Sequence, residues 1–206
     1  MKELSMKYLA LDIGNVLCGV DMTKFTDKLI HYGYFEDFDN AWEFCKEIQH
    51  RLDLGHSNIK CEINKLGNKY SEELIDAWMS IVIPIKEVDD ILVEMLNNDH
   101  KIALLSNVGT DHAPHIEQLL SQSYSKCYKH FSCDVGERKP SSKYFIKFLN
   151  LNPKYSGGLY IDDRLENLET GMKYFDKNIH FAIDSFKTHT EAYERFNEIM
   201  ITEGYL

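Results

Sequence analysis

The stretch Tyr8-Leu9-Ala10-Leu11-Asp12-Ile13-Gly14-Asn15-Val16-Leu17 is an apolar run that is interrupted by one carboxylate. Such a run, bounded by Gly and Asn, is typical of a buried strand in a parallel sheet, and ligands of these sheets bind beyond the carboxyl ends of the strands. Asp12 therefore occupies a position suited to chemistry. The alternative is a turn that begins at Asp12, with Gly14 and Asn15 in left-handed conformations. The stretch taken alone favours this turn.

The rest of the chain falls into two blocks with different periodicity. Residues 19–84 carry apolar residues at helical spacing, whereas short apolar runs alternate with helical stripes from Pro84 onward. This alternation predicts an α/β fold, a doubly wound (Rossmann-like) parallel sheet with an inserted helical cap. The predicted domains are an α/β core formed by residues 1–18 and 85–206 and a helical cap formed by residues 19–84.

Local patterns add expectations about individual elements. The two tryptophans, Trp42 and Trp78, are predicted to pack inside the cap. Pro84 favours a helix end or a linker over a strand for Ile81-Val82-Ile83. The strands predicted after the first are residues 101–105, 131–133, 158–161 and 180–183.

Composition limits the classes of partner. The formal net charge of -10 repels nucleic acid and anionic membranes, so we expect neither as a partner. A small phosphate ester can still bind where a metal ion and basic groups reverse the field locally. The 5 cysteines are widely spaced without a C-x-x-C pair, which indicates reduced thiols in a cytoplasmic protein. No apolar run approaches the ~20 residues that a membrane span needs.

Polar residues follow the predicted strands in the order Asp12, Ser106-Asn107, Lys139 and Asp162-Asp163. The carboxyl ends of the strands converge on one crevice in this topology. Three carboxylates placed together repel one another unless a hard divalent cation such as Mg²⁺ lies between them, and Mg²⁺ with Lys139 formally cancels their charge. Each feature alone is more often a turn or a helix cap. The ordered set favours a site where Asp12 attacks phosphorus and the metal and Lys139 stabilise the charge.

Four segments, Asp12-Ile13-Gly14-Asn15-Val16, Leu105-Ser106-Asn107, Arg138-Lys139-Pro140 and Tyr160-Ile161-Asp162-Asp163, resemble in order and spacing the four motifs of the haloacid dehalogenase (HAD) superfamily. The first also resembles the D-x-G-N-V motif of its glucose-1-phosphate phosphatase branch. The resemblance implies a phosphoric monoester hydrolase that depends on Mg²⁺. Its substrate would be a small phosphomonoester, either a sugar phosphate or a nucleotide.

The resemblance also implies a role for each site residue. Asp12 would be the nucleophile that becomes an aspartyl phosphate, assisted by Ser106 and Lys139. The implied phosphate ligands are Ser106, Asn107 and Lys139. The implied metal ligands are Asp12, the backbone carbonyl of Gly14, Asp162 and Asp163, with Asp162 acting directly or through water.

Gly14 departs from the family pattern. Most phosphatases of the family carry an aspartate there, which protonates the leaving oxygen and later activates water; such acid–base catalysis is typically worth ~10²–10⁴-fold. Asp21 and His112 are candidate substitutes, although each also suits a loop or cap position. Two alternative functions follow: a catalytically weakened phosphate-binding or regulatory relative, and a metal-independent 2-haloacid dehalogenase. The Asp162-Asp163 pair argues against the dehalogenase, because without metal the pair adds only repulsion.

Overall fold

A five-stranded parallel sheet forms the centre of the computed structural model, which describes residues 6–67 and 69–206. The strands in chain order are β1 (Tyr8–Leu11), β2 (Cys18–Val20), β3 (Val82–Pro84), β4 (Lys101–Ser106), β5 (Tyr128–Phe131), β6 (Leu159–Asp162) and β7 (Lys177–His180). The sheet has the order β5-β4-β1-β6-β7, and every neighbouring pair is parallel. The first strand therefore lies in the middle, with its carboxyl end between those of β4 and β6.

Helices connect the strands. They are α1 (Thr23–His31), α2 (Phe38–Asp53), α3 (Ile59–Leu66), α4 (Ser71–Met79), α5 (Lys86–Asn97), α6 (Ala113–Leu119), α7 (Ser132–Val135), α8 (Ser142–Leu151), α9 (Leu165–Gly171) and α10 (His189–Thr202). Side-chain caps start several of them: Asp37 accepts a hydrogen bond from the Asn40 amide at the start of α2, and Asn58 accepts one from the Cys61 amide at the start of α3.

Both faces of the sheet are buried, because successive strand residues point to opposite sides. Leu9 and Leu11 pack into the apolar cluster that includes residues of α5 and α10, such as Leu92 and Phe196. Ala10, between them, packs into the opposite cluster with Tyr144 of α8. Helices thus cover the sheet on both sides, and the prediction of a doubly wound α/β fold is confirmed.

The helices α1 to α4 lie between β2 and β3 and form an apolar cluster of their own. Phe25, Ile48, Ile63 and Trp78 are among its buried members. At the base of this segment β2 and β3 pair antiparallel, with Cys18 opposite Pro84. The short ribbon therefore joins the four helices to the sheet-bearing part of the chain.

Several local predictions were wrong. Residues 82–84 are a strand, since Pro84 lies at the end of a two-stranded ribbon, where a missing N–H is tolerated. Trp42 is 37% exposed and stacks on Phe38, because the buried stripe of α2 runs through neighbouring positions. The strands predicted at 131–133 and 180–183 instead end at Phe131 and His180. Both are edge strands with polar residues, so their apolar signal is weak.

The structure has all 5 cysteines as free thiols. In the part of the chain that the structure describes, no helix has the length and apolar character needed to cross a membrane.

Candidate active site

A cavity of about 190 Å³ lies at the carboxyl ends of the central strands. The predicted site residues that line it are Asp12, Gly14, Ser106, Asn107, Lys139 and Asp163. Asp162, the remaining one, is fully buried and contacts Lys139. The sheet order explains the convergence, because β4 and β6 flank β1 directly.

The Lys139 ammonium group is buried among carboxylates and is 1% exposed. Its Nζ donates to the Leu105 carbonyl oxygen at 2.7 Å and to Asp162 Oδ2 at 2.6 Å, and it lies 3.0 Å from Asp12 Oδ1. The first two contacts are hydrogen bonds, and the third is an ion pair without hydrogen-bond geometry. Burial lowers the pKa of Lys139, but the charges of Asp12 and Asp162 outweigh it and the pKa is raised. Lys139 therefore remains a fixed positive charge beside the nucleophile candidate.

Asp162 is held by hydrogen bonds on both of its carboxylate oxygens. Oδ1 accepts from the Arg164 amide at 2.9 Å and from Asn167 Nδ2 at 2.8 Å, whereas Oδ2 accepts from Lys139 and from the Tyr160 hydroxyl. Burial raises the pKa of Asp162, but Lys139 and these hydrogen bonds lower it more, so the carboxyl stays ionised. The geometry makes Asp162 a support that orients Lys139.

A tight turn follows Asp12 and brings Asn15 to the site. Asn15 has a φ of 60°, the left-handed conformation that asparagine tolerates, whereas Gly14 is not among the residues with positive φ. Asn15 Nδ2 donates to Asp163 Oδ2 at 3.3 Å, and its Oδ1 accepts from the Asp184 amide at 3.2 Å. The turn expected as the alternative to a strand-end site is therefore present, and it is part of the same cavity.

Asn107 and Lys139 are joined through the backbone. Asn107 Oδ1 accepts from the Lys139 amide at 2.8 Å, and its Nδ2 donates to the Lys139 carbonyl oxygen at 2.9 Å. Both polar ends of this side chain are thus engaged with the loop that carries Lys139. Ser106, the last residue of β4, is buried and lines the cavity directly beside it.

The carboxylates fit a divalent cation. Oxygens of Asp12, Asp162 and Asp163 lie within 4.8 Å of one another, and oxygen ligands suit Mg²⁺. Lys139 is ion-paired with two of these carboxylates, whereas Arg138 and Arg164, which also line the cavity, are paired with Asp53 and Glu166. With those two pairs set aside, the three carboxylates and Lys139 leave a formal excess of two negative charges. Burial, together with the neighbouring aspartates, raises the pKa of Asp12 to about 7 and that of Asp163 to about 6, although Lys139 opposes both shifts. The donor set and its charge therefore match one divalent cation.

Neither Asp21 nor His112, the predicted substitutes for the missing acid, lines the cavity that contains Asp12. Asp21 accepts hydrogen bonds from the backbone and hydroxyl of Thr23, as a capping residue does. The ring of His112 is buried beside Trp78, with Nε2 3.0 Å from the Trp78 carbonyl oxygen. Burial lowers the pKa of His112, so the imidazole is neutral near pH 7.

Sequence reasoning missed the residues that support the site. Tyr160 lies two positions before Asp162 on the same face of β6, so strand alternation was a usable signal. Asp53, at the end of α2, pairs with Arg138 at 3.0 Å across the boundary between the helical segment and the sheet. No local pattern reveals that contact, because it depends on how α2 lies over the strand ends.

Solved structures with the same fold are HAD family enzymes. One from Bacteroides thetaiotaomicron, solved in complex with magnesium and inorganic phosphate, is similar with a TM-score of 0.74 and 16% identity over 90% of this chain and 99% of that one. A HAD phosphatase from Thermococcus onnurineus gives a TM-score of 0.62 and 15% identity, covering 95% of this chain and 98% of the other.

A 2-haloacid dehalogenase from Pseudomonas syringae pv. tomato DC3000 gives a TM-score of 0.58 and 14% identity, with 89% of each chain covered. No protein-family model and no curated protein matches the sequence. At these identities the similarity establishes the fold, which is that of HAD hydrolases.

Proposed function

We propose that this chain is a Mg²⁺-dependent phosphatase of the HAD superfamily, which hydrolyses a small phosphomonoester through an aspartyl phosphate on Asp12. One observation carries the proposal: Asp12, Ser106, Lys139 and Asp163 line a single cavity, in which Lys139 is ion-paired with Asp12 and oxygens of Asp12, Asp162 and Asp163 lie within 4.8 Å of one another. A phosphatase that forms an aspartyl phosphate needs a carboxylate nucleophile beside fixed positive charge.

In the first step of the proposed reaction, a carboxylate oxygen of Asp12 attacks phosphorus and the bond to the leaving oxygen breaks. Lys139, fixed by Asp162 and the Leu105 carbonyl oxygen, stabilises the charge that spreads over the phosphoryl oxygens. The Ser106 hydroxyl donates a hydrogen bond to one of them. In the second step water attacks the aspartyl phosphate, which releases inorganic phosphate and regenerates Asp12.

The proposed metal ligands are Asp12, the Gly14 carbonyl oxygen and Asp163. Asp162, whose oxygens accept hydrogen bonds from Lys139 and Asn167, would act indirectly by orienting Lys139. Bound Mg²⁺ would neutralise the excess carboxylate charge and polarise the phosphoryl group. Asn15 holds one oxygen of Asp163 and thereby orients this ligand. Asn107 contributes by fixing the position of the Lys139 backbone beside the cavity through two hydrogen bonds.

The division into a core of residues 1–18 and 85–206 and a cap of residues 19–84 is part of the proposal. Gln49 of α2 lines the cavity together with core residues, so the four-helix segment would cover the bound ester and exclude water. The proposed partner is a small phosphate ester in the cytoplasm, with neither nucleic acid nor membrane involved.

The first motif supports the glucose-1-phosphate phosphatase branch as the relative to test first. With Gly14 at the position of the usual acid, the substrate should carry a leaving group that departs readily. A sugar 1-phosphate meets this requirement better than an alkyl phosphate does.

The test is phosphate release from sugar phosphates and nucleotides, with Mg²⁺ and with a chelator, by wild type and by Asp12→Asn. Asp176→Asn, at an exposed position of the core, is the matched control. The proposal predicts Mg²⁺-dependent release that Asp12→Asn abolishes and Asp176→Asn preserves. Folded wild type that releases no phosphate from any ester would favour the weakened phosphate-binding relative. Halide release from a 2-haloacid without metal would favour the dehalogenase.

A further inference from the structure

Arg138 lies between the four-helix segment and the strand ends. Its Nη1 donates to His50 Nδ1 at 2.8 Å, and its Nη2 lies 3.0 Å from Asp53 Oδ2. Because a guanidinium group has no acceptor, His50 accepts this hydrogen bond as a neutral imidazole. Both partners belong to the last turn of α2, whereas Arg138 directly precedes Lys139 in the loop between α7 and α8. One side chain therefore joins α2 to the loop that carries the fixed positive charge.

Asp53 makes this contact necessary, because its carboxylate is buried. The residue is 3% exposed and is ion-paired with Arg138 across the boundary between α2 and the sheet. A buried carboxylate without a counter-charge is strongly unfavourable. The observed position of α2, in which Asp53 is buried, therefore requires Arg138.

The end of α2 also packs closely against the strand-end loops at two points. A Cβ added at Gly109 would lie 3.0 Å from Leu52 Cβ, and one added at Gly55 would lie 2.6 Å from the Cys133 carbonyl oxygen. Only glycine permits approaches as close as the second one. The carboxyl end of α2 is therefore the point at which the four-helix segment docks beside the cavity.

Gln49 lies one turn before Asp53 on the same face of α2. Its side chain is half-buried and lines the phosphate cavity together with Asp12 and Lys139. A carboxamide can donate a hydrogen bond to an ester oxygen and accept one from water. The position of α2 therefore determines where this polar group faces a bound ester.

Lys139 has supports of its own. Asn107 holds its backbone through two hydrogen bonds, and Asp162 and the Leu105 carbonyl oxygen hold its ammonium group. The position of Lys139 therefore does not depend on the contacts that Arg138 makes with α2.

We propose that Arg138 is a positioning residue: through Asp53 and His50 it holds α2 on the strand ends, so that Gln49 contacts the bound ester. This role rests on the proposed phosphatase function. It adds Gln49 to the residues that meet the substrate, and it makes the contribution of Gln49 depend on Arg138.

The test is a double-mutant cycle between Arg138→Met and Gln49→Leu. The kcat/KM is measured with Mg²⁺ on whichever of glucose 1-phosphate and p-nitrophenyl phosphate wild type hydrolyses faster. Each single replacement should lower kcat/KM about tenfold, because the carboxamide is displaced or lost. The double variant should be at most about twofold slower than Arg138→Met, since Gln49 is already out of place there. Arg138→Lys keeps a charge beside Asp53 and should recover most of the loss.

Hydrogen exchange followed by mass spectrometry adds a measurement that does not need turnover. Amides of residues 49–56 should exchange faster in Arg138→Met than in wild type, because the end of α2 opens more often. Arg195→Met is the matched control, since Arg195 is exposed on α10. This replacement should change neither kcat/KM nor the exchange of residues 49–56.

Losses that multiply in the double variant, to about a hundredfold, would overturn the positioning role, because Arg138 would then act independently of Gln49. Unchanged exchange in Arg138→Met would overturn it as well, and so would an Arg138→Lys protein as slow as Arg138→Met. In each of these cases wild type still releases phosphate, so the proposed phosphatase stands. Absence of release by wild type from both esters would overturn the proposed function, and the positioning role with it.

Discussion

Replacing Lys139 by Met tests how much the buried site depends on this one positive charge. Lys139 Nζ lies 3.0 Å from Asp12 Oδ1 and 2.6 Å from Asp162 Oδ2, and the side chain is 1% exposed. Met keeps the aliphatic length and removes the charge, so the expected loss comes from buried carboxylates without a counter-charge. Such a loss is about 3–5 kcal/mol. At about 2–4 °C per kcal/mol for a chain of this size, Tm should fall by about 6–20 °C.

The assay is thermal unfolding followed by circular dichroism, first with a chelator and then with Mg²⁺. Mg²⁺ should recover part of the loss, because a divalent cation supplies positive charge to the same carboxylates. Lys143→Met is the control: Lys143 is exposed, and its replacement should leave Tm unchanged within about 2 °C. A Lys139→Met protein with the Tm of wild type in chelator would refute the electrostatic reasoning.

Three further predictions concern the acid position, the metal and the four-helix segment. Gly14→Asp should raise kcat on alkyl phosphates at least about tenfold, toward the ~10²–10⁴-fold typical of acid–base catalysis. The site has room for the side chain, because among the described residues an added Cβ would have one neighbour within 4 Å, Val20 Cγ2 at 3.4 Å. Mg²⁺ at 100 times its Kd should stabilise the protein by about 2.7 kcal/mol and raise Tm by about 5–11 °C, an increase that Asp163→Asn reduces. A hydrogen bond from Arg51 lowers the pKa of the Glu62 carboxyl from 4.5 to about 2. The ionised carboxyl should therefore stabilise the protein above pH 4.5 and lose this effect as pH falls toward 2. The free energy of unfolding in urea should depend less on pH in Glu62→Gln than in wild type over this range.

A specific result would contradict each of these predictions. For Gly14, an equal gain in Gly14→Ala would show that the aspartate does not act as an acid. For the metal, a Tm shift that survives unchanged in Asp163→Asn would place the cation elsewhere. For Glu62, identical slopes of unfolding free energy against pH in the two proteins would show that this carboxyl does not contribute to the pH dependence of stability.

The central strands were predictable from sequence because their signal is local and strong. The run at 8–11 is buried on both faces, so it reads as continuous apolar sequence. Edge strands β5 and β7 carry lysine and histidine, and their bounds were therefore misplaced. Trp42 was misplaced because a single helical stripe does not distinguish a core position from its neighbour one residue away.

The gathering of the predicted site residues followed from topology, since parallel strands that neighbour β1 bring their carboxyl ends together. The supporting contacts required three-dimensional information. Asn167 reaches Asp162 from the start of α9, and Asp53 reaches Arg138 from α2. Both depend on how a helix packs over the strand ends, which residue spacing along the chain does not encode.

The most direct test of the proposed mechanism is detection of the covalent intermediate. Wild type mixed with a sugar 1-phosphate and Mg²⁺ is quenched in acid, digested and examined by mass spectrometry. Gly14 lacks a carboxyl to activate water, so the aspartyl phosphate should persist long enough to be trapped. We expect one added phosphoryl group on the peptide that contains Asp12, and no such group in Asp12→Asn. Phosphate release without modification of Asp12, or with the phosphoryl group on another residue, would contradict it.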